Sequence, residues 1–122
     1  PEHTAEERDL EWVAINKSLG NSVVNWGDSG EVRKNTWQKQ LHIFELPFYY
    51  IEYGMAQLGA IAVWKNFKEN PEKTIAQYKE ALSVGYTLSV PEIYEKAGIK
   101  FDFSQGYIKE LMTFMMNELE NL

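Results

Sequence analysis

The segment Leu46–Trp64, LPFYYIEYGMAQLGAIAVW, constrains this chain more than any other part of it. After Pro47 it carries no helix breaker other than two glycines, and it is long enough for about five turns of helix. Glu52 and Gln57 fall near its middle, where a charge in a bilayer would cost about 2.5–3.5 kcal/mol. The segment is therefore expected as a buried helix in a soluble protein, with no membrane partner. Burial would oblige the hydroxyls of Tyr49, Tyr50 and Tyr53 to find partners, either elsewhere in the protein or on a substrate.

The rest of the chain reads as helix as well. Thr4 and Glu7 form a capping-box signature, which starts a helix over residues 5–19 that Gly20 ends. Leu10, Val13 and Ala14 are its expected apolar face, widened by Trp12, Ile15 and Leu19. Residues 20–30, GNSVVNWGDSG, have loop composition, and Val23, Val24 and Trp26 are expected to pin that loop to the body. A second helix is expected from Glu31 to Phe44, with Trp37, Leu41 and Phe44 on one face. Leu46 precedes a proline and so marks its boundary.

The third helix then starts at Pro47 and ends before Asn70-Pro71. A fourth begins at Pro71, with Ile75, Tyr78 and Leu82 as its apolar stripe and Gly85 as its stop. A short helix from Pro91 to Ala97 closes at Gly98. The last begins after Ser104 and presents Tyr107, Ile108, Leu111, Met115 and Leu119. The expected class is all-α, with about six helices in one helical segment spanning the chain.

Charge and composition exclude several functions. The net charge of −6 disfavours nucleic acid, whose binding needs a basic patch. The chain has no cysteine and only two histidines, His3 and His42, so no complete zinc site is expected within it. The absence of cysteine and of an apolar leader fits a cytoplasmic location. There is no HExxH, no GxSxG and no Gly-rich phosphate loop.

The third helix keeps the remaining chemistry. Tyr50, Tyr53 and Gln57 stand at i, i+3 and i+7 and share a face. Ile51, Met55, Leu58 and Ala62 form a second, apolar face. Gly54 and Gly59 each cost about 0.8–1 kcal/mol against alanine inside a helix, which calls for a packing or functional compensation. From the residues alone, tyrosines that bury the ring and wet the hydroxyl account for such a stripe, and a satisfied structural histidine accounts for His42.

The string WQKQLHIFELPFYYIEYGMAQLGAIAVW resembles the C-terminal part of the oligoendopeptidase F branch of the thimet-oligopeptidase-like zinc peptidases. The likeness continues through YKEALSVGYTLSVPEIYEKAGIKFDFS and covers about residues 30–122 well. It implies a C-terminal piece of the catalytic domain of a larger, mostly helical peptidase that cleaves short peptides in a channel. In that family, an upstream HExxH helix and a further glutamate hold one zinc; this chain lacks them. The resemblance implies that His42, Tyr50 and Tyr53 are catalytic, donating to the oxyanion of the tetrahedral intermediate, and that Tyr49 and Gln57 contact substrate. It also implies that zinc belongs to the full-length parent and that this chain binds none.

An excised piece of this kind should expose more apolar surface than a monomer tolerates, so a two-fold homodimer is expected. The rival expectation is a stand-alone helical module that binds a peptide or a partner helix without catalysis.

Overall fold

The computed structural model describes residues 2–20 and 23–122, which divide into two compact units, Pro1–Tyr49 and Tyr50–Leu122. Every regular element among the described residues is helical, so the all-α expectation holds. There are seven α-helices among them, one more than expected, because the predicted second helix is broken. Asn21 and Ser22 of the expected loop lie outside the described residues.

In the first unit, α1 spans Ala5–Leu19 with the ends read from the sequence. The Thr4 hydroxyl accepts the Glu7 N–H at 3.2 Å, and the Glu7 carboxylate accepts the Thr4 N–H at 2.6 Å. The backbone bond from Thr4 holds the Glu7 carboxyl below its ordinary range. Gly20 closes the helix by donating to the Asn16 carbonyl at 3.0 Å.

The packed side of α1 differs from the expected one. Asp9, Trp12, Val13 and Asn16 are half-buried, whereas Leu10, Ala14, Ile15 and Leu19 are exposed. Two indoles decide this. Trp12 Nε1 donates to Thr36 Oγ1 at 2.8 Å, and Trp37 Nε1 donates to Asp9 Oδ1 at 2.7 Å. An indole N–H drawn out of water needs an acceptor, and that need turns the row carrying Asp9 and Trp12 inward. Val23 and Val24 are exposed, whereas the Trp26 ring lies under the Arg33 guanidinium, 5.4 Å from its centroid, and ties the loop to the helix carrying Arg33.

The predicted helix over residues 31–44 forms as three short pieces: α2, Gly30–Lys34; a 3-10 turn, Thr36–Lys39; and α3, Leu41–Glu45. Asn35 closes α2 by donating to the Val32 carbonyl at 3.2 Å, and Gln40 leaves helical geometry at φ −85°, ψ 83°. Thr36 contributes to the break: its hydroxyl donates to the Arg33 carbonyl at 2.8 Å while accepting from Trp12. Side chains that bond nearby backbone compete with the helical ladder in this way. Trp37 and Phe44 still meet, with ring centroids 5.8 Å apart.

Leu46 is extended, as the residue before a proline should be (φ −136°). The third predicted helix, however, does not begin at Pro47. Tyr49 N–H bonds the Leu46 carbonyl at 3.3 Å, which closes a four-residue turn with Pro47 second and Phe48 third. Phe48 has φ +61°, the left-handed value that the third position of a type II turn demands. Glycine or asparagine is usual there, and a bulky side chain carries a cost of about 1–2 kcal/mol. Phe48 is 94% exposed and has no packing to lose. Phe48→Gly should therefore stabilise the fold by about 1 kcal/mol, the strain relief exceeding the added unfolded-state entropy. A lower urea midpoint for this variant would contradict the account.

The second unit is built on α4, Ile51–Glu69. Asn70 then ends α4 and caps α5, Pro71–Ser83, by accepting the Lys73 N–H at 3.1 Å. After a turn at Gly85 (φ +53°) come α6, Val90–Lys96, and α7, Gln105–Glu120. Helix α4 packs on α5 and α7, and α5 packs on α6. Gly98 has φ +73°, and a Cβ there would stand 2.5 Å from Gln77 Oε1. Ion pairs join the helices at the surface: Lys65 with Glu110, Lys68 with Glu118 at 2.8 Å, and Lys96 with Glu80 at 2.8 Å.

The core of this unit is thin. Gly59, Ala62, Thr74, Ala81, Ala97 and Leu111 are buried, and Leu111 is the largest fully buried side chain among the described residues. Two apolar expectations fail here. The sequence leads one to expect a buried α4, yet only Gly59 and Ala62 are buried, and Ile51 drops out of its packing face. Helix α5 buries Thr74 and Ala81, while its apolar stripe Ile75, Tyr78 and Leu82 stays exposed. Periodicity shows that a stripe seeks cover, and this unit has too few elements to cover every stripe. The accessible surface of the chain is 9764 Å². Two separately compact units of these sizes would together expose about 8,100 Å².

Candidate functional site

His42 is the second residue of α3 and is half-buried. Its imidazole stacks on the Tyr49 ring, with centroids 5.2 Å apart and planes 2° from parallel. The turn at Pro47–Phe48 makes that contact, because it folds the chain back within seven residues. His42 and Tyr49 thus meet inside the first unit.

Tyr50 precedes α4 but already has helical angles, φ −62° and ψ −23°, so it continues the helix face. Its ring lies 5.3 Å from that of Tyr53, at a tilt of 54°. Both tyrosines are 51% exposed, and Gln57 is exposed one turn further along. The structure thus brings Tyr50 to Tyr53, with Gln57 on the same row, inside the second unit. The row is open on the side away from Met55, Leu58 and Ala62, which pack inward. A row of half-exposed phenols can donate to a carbonyl oxygen.

Of the two unusual glycines in α4, only Gly59 has a packing reason. A Cβ at that position would stand 2.9 Å from the Tyr94 hydroxyl oxygen and 3.2–3.3 Å from its ring. The Tyr94 hydroxyl donates to the Met55 carbonyl at 3.3 Å, and Phe101 meets the ring edge-on at 5.1 Å. Burial pushes the Tyr94 phenol above its ordinary range. Gly54 faces open space. Sequence reasoning did not single out Tyr94, although the glycine four residues past Met55 was a signal for a close neighbour.

Beside Tyr94 lies an apolar groove of about 430 Å³ between α4, α5 and α6, lined among others by Ala56, Ala60, Tyr78, Leu82 and Ile93. Among the described residues no three of His, Cys, Asp and Glu are grouped to hold a metal ion. His3 is exposed beside α1. No described helix is long and apolar enough to cross a membrane.

Comparison with known proteins adds the family. No curated protein and no solved structure matches the chain. The profile of peptidase family M3 matches residues 2–113, which is nearly its whole length. That family consists of zinc metallopeptidases, so the phenol row and the histidine stand in a chain of peptidase descent. On this match the chain belongs to peptidase family M3.

Proposed function

We propose that this chain is the C-terminal segment of an oligoendopeptidase F-type enzyme and forms one wall of its peptide channel. The observation that carries the proposal is the pairing of donor groups without a metal set. His42, Tyr50 and Tyr53 flank one helix break in the chain, while the residues that would hold zinc are not grouped among the described residues. The zinc of the family does not fit these residues, so no step is assigned to it. The chain's own contribution is hydrogen-bond donation. When a peptide carbonyl is attacked, its oxygen gains charge, and phenol O–H or imidazole N–H groups aimed at it lower the barrier. Gln57, on the same row as Tyr53, contacts the peptide backbone. The substrates are short peptides, and the enzyme acts in the cytoplasm.

The test is hydrolysis. The purified chain, supplied with zinc, should not cleave a fluorogenic oligopeptide, because its sequence has no HExxH and, among the described residues, no three metal-ligating side chains are grouped. Chelator-sensitive cleavage by the chain alone would overturn the proposal.

The thin core supports the same reading. The excess of about 1,600 Å² over two compact units is about twice what one partner buries in a standard protein interface. Larger parts of an enzyme would cover it, and in their absence a second copy should. Sedimentation at rising concentration should show a two-fold dimer; a monomer throughout would count against it.

The apolar groove between α4, α5 and α6 favours one other reading, a non-catalytic module that takes a partner helix. The gene decides between them: an HExxH codon string upstream in the same frame supports the peptidase segment, and its absence supports the module.

A further inference from the structure

We infer that Tyr49 is a positioning residue: its ring holds the His42 imidazole in the orientation from which it donates. This goes beyond a substrate contact for Tyr49 and rests on the proposed donor role of His42.

Three observations carry it. The rings are 2° from parallel at a centroid distance of 5.2 Å, which is a face-to-face, offset stack. The stack depends on a tight turn, closed by the Tyr49 N–H on the Leu46 carbonyl and fixed at its second residue by Pro47. The turn is kept although it forces Phe48 to φ +61° with its side chain in solvent. Strain of this kind persists where the surrounding structure fixes it, and it concentrates at sites that need pre-organisation. The exposed Phe48 ring draws no packing from the turn; what the turn achieves is to seat the next residue, Tyr49, on His42.

An imidazole has freedom about two side-chain bonds, and a flat ring against its face removes the rotation that would swing its N–H away. A misplacement of about 1 Å costs a catalytic group on the order of 100-fold in rate. The ring, not the hydroxyl, supplies this effect.

The structural half of the test uses this chain. In proton NMR spectra, the His42 ring protons should be shifted upfield by the Tyr49 ring current. Tyr49→Leu, which keeps apolar bulk without a ring, should abolish the shift, and Tyr49→Phe should retain it. The functional half uses the zinc-bearing peptidase that contains the segment. There Tyr49→Leu should lower kcat about 100-fold with KM nearly unchanged, and Tyr49→Phe should restore turnover.

The inference fails if the shift survives in Tyr49→Leu, since the stack is then absent. It also fails if Tyr49→Phe is as slow as Tyr49→Leu, which would assign the role to the hydroxyl, or if Tyr49→Leu raises KM and spares kcat, which would make Tyr49 a substrate contact. His42→Ala separates this from the parent reading. If that variant turns over normally, the donor role of His42 is wrong, and the catalytic role of Tyr49 falls with it, whatever the NMR spectra show.

Discussion

Leu111→Ala should remove about 2–5 kcal/mol of stability, the range for truncating a fully buried leucine. Leu111 is 1% exposed and lies in α7 where that helix crosses α4. It borders the same cavity as Ala62, whose small side chain lets the two helices approach. Nearby, Trp64 and Phe114 meet edge-to-face at 5.0 Å, which fixes the crossing on one side. The loss should be large for a local reason. The other buried residues are small, so Leu111 supplies most of the fully buried apolar bulk of this unit. A unit of this size holds only about 4–11 kcal/mol in all. The variant should therefore melt roughly 13–33 °C lower. Leu119→Ala, further along the same helix but half-exposed, should cost under about 1 kcal/mol. Equal effects of the two variants in urea denaturation would mean that α7 does not pack as described.

What is legible in the sequence is local. The Thr4–Glu7 capping box, the Asn70-Pro71 start, the Ser104 cap and the left-handed glycine at Gly98 each need only a few consecutive residues, and each stands where the sequence places it. The errors arise where distant partners decide. Residues 31–44 have helical periodicity, yet Thr36 bonds both Trp12 and the Arg33 carbonyl, and the helix breaks there. Pro47 fits the first turn of a helix, and it equally fits the second position of a turn; the latter is what forms, at the expense of Phe48. The stripe on α5 is apolar as its spacing indicates, but no described element covers it.

The candidate residues divide along the same line. The shared row of Tyr50, Tyr53 and Gln57 follows from helical spacing and survives, because Tyr50 keeps helical angles outside α4. The stack of His42 on Tyr49 could not be read from spacing, since it depends on a left-handed phenylalanine that no propensity favours. Gly59 announces a close neighbour without saying which. Tyr94 fills that place from 35 positions further along, with the Met55 carbonyl as its acceptor.

In the zinc-bearing enzyme proposed to contain this segment, Tyr53→Phe should lower kcat by about 10²–10³-fold, equivalent to about 2.7–4 kcal/mol of transition-state stabilisation, and leave KM within a few-fold. The substitution deletes one oxygen and keeps the ring, so the tilted contact with Tyr50 at 5.3 Å remains. The ring is half-exposed, and the urea midpoint, measured beside kcat, separates a loss of stability from a loss of catalysis. A donor to the developing oxyanion matters more as charge grows on that oxygen, which is why the loss should fall on kcat. Gln57→Ala should behave differently: an amide that holds the peptide backbone acts equally on ground and transition states, and its loss should raise KM with little change in kcat. If Tyr53→Phe also raises KM alone, the tyrosine belongs with Gln57 as a substrate contact. If neither parameter moves, the phenol row is a wetted surface of α4, and the donors of this peptidase lie elsewhere.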